Sequence, residues 1–444
     1  MGQEINHDAS ILNFTTSKKY NSNLGKSNQV FISFGPSILR KISGKSYMSQ
    51  VHFQSKFPQV GTTIFTVMSA LAKEHQAINL GQGFPDFSCD PKLLEAVENA
   101  MRNDHNQYPP MTGIPELRQK ISQKIEQLYG SHYDPDTEIT VTAGATQAIL
   151  TVVLAVVRPN EEVVVIEPVY DSYIPAIDLA GGKLKSVKMI PQKNAEGLVE
   201  KYVLPWDDLA KAINSNTRLV MINSPHNPTG MVWQTEDLNR LAELVRPTNA
   251  LICSDEVYEH MVYDNQLHQS VSRHPELKER SFVISSFGKT FHVTGWKIGY
   301  VSAPEYLMTE FRKVHQFNVF TVNTPMQFGI SSYLDYPTAY TELPAFYQKK
   351  RDFFSSELLD TQFKLLPSQG TYFQCADYSQ LKIPEAQLDE ATFCQWLTSE
   401  IQVAAIPVSA FYSKPVNSHV IRFCYAKQEA TLQLALERLK KIAS

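Results

Sequence analysis

Five short apolar runs each lead into residues that could do chemistry. Phe282–Ser286 runs into Phe287-Gly288-Lys289-Thr290, and Ala250–Ser254 into Asp255-Glu256-Val257-Tyr258. Arg218–Asn223 runs into Ser224-Pro225-His226-Asn227-Pro228-Thr229-Gly230. Glu162–Ile166 ends in Glu167-Pro168-Val169-Tyr170, and Ile139–Thr142 in Ala143-Gly144-Ala145-Thr146. A lysine amine adds to carbonyls once desolvation or nearby cations favour its neutral form. A small-residue turn opening a helix offers free N–H groups to a phosphate. Singly, each feature has a plainer reading. Lys289 alone would be a solvated surface charge, Asp255 a helix cap and Asn227-Pro228 a turn. Two competing motifs fail. Gly288-Lys289-Thr290 mimics the end of a nucleotide-binding loop, but position 283 is Val283 where that loop needs glycine. Gly81-Gln82-Gly83 opens like a dinucleotide fingerprint, but position 86 is Asp86. No GxSxG or HExxH occurs, and the 12 histidines show no ligand spacing, so no metal is expected.

These residues need elements to hold them. The 444 residues suffice for two or three domains. With 43% hydrophobic and 19% charged residues, global disorder and coiled coil are excluded. The 41 Lys+Arg against 45 Asp+Glu leave no basic footprint for nucleic acid. Short apolar strands alternate with helical stretches such as Glu236–Val245, which implies an α/β domain with a mostly parallel sheet. Ligands of such sheets bind beyond the carboxyl ends of the strands, where all five groups above fall. Helices are expected at Ile64–His75, Pro91–Met101 and Ile114–Tyr129. The last hundred residues read as a smaller α+β domain. It would hold a helix near Leu343–Leu359, strands at Thr371–Ala376 and Val420–Cys424, and a closing helix over Glu429–Ile442. The stretch Ile139–Val157 lacks charge but carries four threonines, so no membrane span is expected. Residues 1–54 are Ser- and Asn-rich, with six basic and two acidic residues, and lack an apolar signal core. They read as a flexible extension, a targeting segment, or sequence ahead of a start at Met48. The five cysteines form no CxxC and no disulfide framework, which points to the reducing cytoplasm.

Taken jointly, the five strand ends supply a phosphate cup, a stacking ring, a carboxylate for a ring nitrogen, donors for a phenolate oxygen, and a lysine. Those are the parts that hold pyridoxal 5′-phosphate, where the protein supplies orientation and electrostatics. Asp255 would keep the ring nitrogen protonated. Asn227 and Tyr258 would hydrogen-bond the 3′ oxygen, Lys289 would form the Schiff base, and Lys297 is a nearby cation able to reach the phosphate.

At these residues the chain resembles the fold-type I, class I/II aminotransferases. The resemblance rests on Asn227-Pro228-Thr229-Gly230, Ser254-Asp255-Glu256-Val257-Tyr258, and Ser285-Ser286-Phe287-Gly288-Lys289-Thr290 with Gly295-Trp296-Lys297-Ile298-Gly299. Gly81-Gln82-Gly83-Phe84-Pro85-Asp86-Phe87 and Asn106-Gln107-Tyr108 are similar to the kynurenine aminotransferase and glutamine transaminase K group. Pro58-Gln59-Val60-Gly61-Thr62-Thr63-Ile64-Phe65, Tyr108-Pro109-Pro110-Met111-Thr112-Gly113 and Asp171-Ser172-Tyr173 resemble the bacterial methionine aminotransferases within it. The resemblance covers about residues 55–442. It implies a seven-stranded, mostly parallel sheet between helices, plus a smaller α+β domain. The implied divisions are 1–54 unmatched, 55–90 an N-terminal arm and part of the small domain, 91–342 the cofactor domain and 343–444 the small domain. It also implies roles. Lys289 is the Schiff-base lysine and the base for the Cα proton, and Asp255 pairs with the ring nitrogen. Tyr170 stacks on the ring. Ala145, Thr146, Ser286 and Lys297 hold the phosphate beside Gly144. Tyr108 reaches the phosphate of a neighbouring subunit, so a homodimer shares its sites. Arg422 grips the substrate carboxylate, assisted by Gly83 and Asn227.

The reading is therefore a ping-pong aminotransferase for a medium-to-large uncharged amino acid: methionine first, then aromatic residues and glutamine. Phe84, Tyr170, Tyr173 and Phe373 form an aromatic supply near the site that favours apolar side chains, without assigning its walls. Thr146 stands where the kynurenine branch has a bulkier aromatic residue, which counts against kynurenine. The alternatives are kynurenine–oxoglutarate transamination and β-elimination from cysteine S-conjugates on the same cofactor.

Overall fold

Apolar runs buried on both faces form the interior of a seven-stranded sheet. The strands are β1 (Ile139–Thr142), β2 (Glu162–Glu167), β3 (Lys183–Lys188), β4 (Thr217–Asn223), β5 (Leu251–Asp255), β6 (Ser281–Ser286) and β7 (Gly299–Ser302). Their order is β1-β7-β6-β5-β4-β2-β3. All run parallel except β7, which pairs antiparallel with both β1 and β6. Alternate residues serve opposite cores. Val163, Val165, Leu219 and Met221 pack with Ile149, Val152 and Val153 of α4 (Gly144–Val156). Val164, Ile166, Val220 and Ile222 pack with Leu238, Leu241 and Val245 of the helix Thr235–Val245. A strand covered on both faces needs no polar alternation, so it reads as a continuous apolar run. The fold is thus the α/β, mostly parallel architecture expected.

This is a computed structural model, and it describes residues 54–58 and 60–442. The extension expected at 1–54 lies, but for its last residue, outside the described residues. From Val60 onward the chain is one compact unit. Before the sheet come α1 (Ile64–Glu74), α2 (Pro91–Arg102) and α3 (Pro115–Tyr129). Asp90 caps α2 by accepting from the Lys92 N–H at 2.9 Å, and Pro91 pre-sets its first turn. A second, antiparallel sheet holds β8 (Lys364–Leu365), β9 (Phe373–Asp377), β10 (Ile406–Pro407) and β11 (Val420–Cys424), in the order β8-β9-β11-β10. Ile78–Asn79 pairs with Val403–Ala404, and Leu80 accepts from the Cys424 N–H, so residues 78–80 are tied to this sheet.

Two expectations change in detail, and two strands are added. The strand expected at Thr371–Ala376 begins at Phe373, because Thr371 has φ +67° and cannot lie in a strand. The closing helix stops at Leu439, followed by a tighter turn over Lys440–Ile442. The strands β3 and β7 went unforeseen. Among the described residues no helix is long and apolar enough to cross a membrane, and no group of three or more His, Cys, Asp or Glu could hold a metal ion.

Candidate active site

The carboxyl ends of β1, β2, β4, β5 and β6 open onto one cavity of about 270 Å³. Gly144, Ala145, Thr146, Tyr170, Asn227, Asp255, Tyr258, Ser286, Lys289, Lys297 and Arg422 all line it. The antiparallel β7 explains how Lys297 arrives. Gly299 pairs with both Thr142 and Ser286, so the residues just before it fall beside the ends of β1 and β6. A side chain at Gly144 would sit 3.3 Å from Lys297 Cε and 3.4 Å from its Nζ, and Gly144 has φ +75°. Glycine therefore lets the lysine lie over the start of α4. That helix has no side-chain cap, so its first N–H groups remain for a ligand.

None of the charged groups lining the cavity has an ion-pair partner among the described residues, and three of them are held by other contacts. Lys289 Nζ donates to the Gly83 carbonyl at 3.0 Å and the Tyr372 hydroxyl at 2.9 Å. Desolvation lowers its amine to about 8. Asp255 accepts from the Tyr173 hydroxyl at 2.6 Å and the Val257 N–H at 3.3 Å. Burial pushes its carboxyl up to about 6. Arg422 is 1% exposed; it donates to Asn227 Oδ1 at 2.7 Å and the Gly81 carbonyl at 3.0 Å, and its Nε has no partner. Its guanidinium carbon lies 3.9 Å from the centre of the Phe373 ring. Burial lowers the Arg422 pKa and raises the Tyr258 phenol above its usual range.

Of the aromatic residues expected at or near the site, Tyr173, Phe84 and Tyr108 do not line this cavity. Tyr173 does not wall the cavity; it is fully buried behind it, with its hydroxyl on Asp255. Phe84 does not line the cavity either. It is half exposed, and Lys427 sits 5.0 Å above its ring. Gly83 lines the cavity, and its carbonyl accepts from Lys289 and Tyr372. Tyr108 is 81% exposed, edge-on to Phe320 and outside this cavity. Sequence reasoning missed Tyr372 on the lysine and Asn223, which donates to the Asp255 carbonyl and accepts from the Asn227 N–H. Asn223 could have been found as the polar end of β4.

The family described as aminotransferase class I and II matches residues 75–439. The chain belongs to the class I and II aminotransferases. It is 47% identical over 390 residues to the methionine aminotransferase of Escherichia coli (strain K12), covering 88% of this chain and 98% of that relative. It is 36% identical to human kynurenine–oxoglutarate transaminase 1, over 84% of this chain and 93% of that one. A solved Escherichia coli protein, reported with a methionine aminotransferase function, superposes with a TM-score of 0.84 at 47% identity, over 88% of this chain and all of that one. This aminotransferase is therefore an enzyme that moves amino groups between small molecules, and its fold is that of its solved neighbours.

Proposed function

We propose that this aminotransferase uses pyridoxal 5′-phosphate and moves the amino group of an uncharged L-amino acid, methionine first, to a 2-oxo acid. The observation that carries the reading is one cavity in which the buried Asp255 and Arg422, the half-buried Lys289 and the exposed Lys297 all lack ion-pair partners among the described residues. A buried charge left unpaired is costly, so Asp255 and Arg422 each demand a ligand group. Asp255 fits a protonated ring nitrogen, Arg422 an α-carboxylate, and Lys297 over the start of α4 a phosphate. Pyridoxal 5′-phosphate would supply an aldehyde for the amine and a ring that takes up electrons when Cα loses its proton.

The chain's own residues do the rest. Lys289, with its amine lowered to about 8, is neutral far more readily than an ordinary lysine and can act as nucleophile and then as base at the Cα proton. Tyr258 stays a phenol and Asn227 spends its carbonyl on Arg422, so both keep a donor for the 3′ oxygen. Tyr170 offers its ring face, and Thr146 Oγ1 lies 3.4 Å from the Tyr170 hydroxyl. Ala145, Thr146 and Ser286 complete the phosphate cup with Gly144 and Lys297. Gly83 adds its backbone beside Arg422's carboxylate site.

Methionine is favoured over kynurenine because the methionine-acting relative is the more similar of the two, and Thr146 is small. We further assign residues 91–342 to the cofactor domain and 343–444, with part of 55–90, to the small domain; the Ile78–Asn79 pairing with Val403–Ala404 supports this. A homodimer is proposed, with Tyr108 completing the partner's phosphate site. Its exposure, beside Phe320 and with Phe317 also exposed, supports it. The cysteines are all free and four are buried, which suits a reducing cytoplasm.

An amino-acid by oxo-acid activity matrix tests the substrate. Visible absorbance tests the lysine: Lys289→Ala should lose the Schiff-base band. A normal band in that variant would overturn the assignment, and a matrix silent for methionine would overturn the preference.

A further inference from the structure

One charged group in the cavity is used by none of these roles. Asp171 follows Tyr170 beyond the end of β2, lines the cavity and is open to solvent. Desolvation raises its carboxyl above the ordinary value, while the Arg422 guanidinium acts in the opposite direction. The carboxylate is therefore within electrostatic reach of the group that would grip the substrate. It enters no ion pair among the described residues. The cavity holds three cations, Lys289, Lys297 and Arg422. The first is assigned to the aldehyde, the second to the phosphate and the third to the α-carboxylate. A substrate carrying a second carboxylate would meet no free cation from this chain and one unpaired anion. The apolar walls Phe65, Ile149 and Phe373 offer it nothing in return.

We propose that Asp171 is a specificity-determining residue that rejects substrates with an acidic side chain, amino acids and oxo acids alike. It selects by repulsion: two carboxylates sharing one site disfavour each other, whereas an uncharged side chain is untouched. The proposal rests on the reading above in taking Arg422 as the α-carboxylate grip.

Glutarate and pentanoate differ only in the second carboxylate. Their dissociation constants are to be measured on the holoenzyme, wild type against Asp171→Asn and Asp171→Ala, at about pH 8, where carboxyl groups are ionised. The preference for pentanoate over glutarate should fall at least about fivefold in both variants, the factor expected of one water-screened charge contact. The glutamate-to-methionine ratio of kcat/KM should rise by at least as much. A smaller change in either ratio overturns the assignment. The failure of the functional reading would look different. A wild type that transaminates no uncharged amino acid sinks that reading, and the binding ratio still decides on Asp171.

Discussion

Asp255 is a carboxylate that the fold holds at a disadvantage. Its pKa stands near 6 because burial strips its water and only Tyr173, Val257 and the Lys289 charge answer it. The free residue titrates near 4. A folded-state value above the unfolded one means that the unfolded chain ionises first as pH rises. The penalty is absent below about pH 4, grows between the two values and is complete above about 6. A two-unit shift corresponds to about 3 kcal/mol. Asp255→Asn should therefore stabilise the cofactor-free protein by about 2–3 kcal/mol at pH 8 and by clearly less at pH 5, in denaturant unfolding. The same variant should lose activity with the cofactor present, because the ring nitrogen loses its anion. Equal stability changes at the two pH values would show that the carboxylate is not strained by burial.

At the scale of elements, a second buried cluster fixes the loop that carries Asp255 and Tyr258. Glu259, at the end of that loop, accepts from Lys124 Nζ of α3 at 2.8 Å and from the Tyr300 hydroxyl of β7 at 3.2 Å. The hydroxyls of Tyr129 and of Ser285, next to Ser286, also donate to it. Burial alone would raise its carboxyl, but Lys124, His260 and these donors hold it well below the usual carboxylate range. Three elements thus meet on one carboxylate directly behind the cavity. Lys124→Met leaves that charge buried and alone, and should cost about 3–5 kcal/mol of unfolding free energy. Adding Glu259→Gln should recover part of it; a double variant no better than the single would locate the loss elsewhere. The cluster also shows where reading a sequence stops. The strand ends, and with them Lys289, Asp255 and Asn227, were legible because doubly buried strands leave unbroken apolar runs. The edge strand β3 was not, since its lysines keep an open edge from pairing with other chains, and nor was β7, only four residues long. Tyr372 and Tyr173 reach Lys289 and Asp255 across 83 and 82 residues, and no local spacing encodes such contacts.

The whole molecule poses a question that one chain cannot answer alone: which cavity Tyr108 serves. Its ring is exposed and lies outside its own chain's cavity. A two-fold dimer would give each cavity its partner's Tyr108, since a symmetric interface presents the same patch from both sides. Subunit exchange separates the two possibilities. Tyr108→Ala and Lys289→Ala chains are each expected to be impaired as homodimers. In a mixed dimer one cavity would combine both defects. The other would pair an intact Lys289 with an intact Tyr108 from the opposite chain. Random exchange makes half of the dimers mixed, each with one intact site of two, so activity should recover to about a quarter of wild type. If Tyr108 served its own cavity, no combination of these chains would assemble a complete site. Mixing would then leave activity at the mean of the two variants, and the shared-site arrangement would be lost with it.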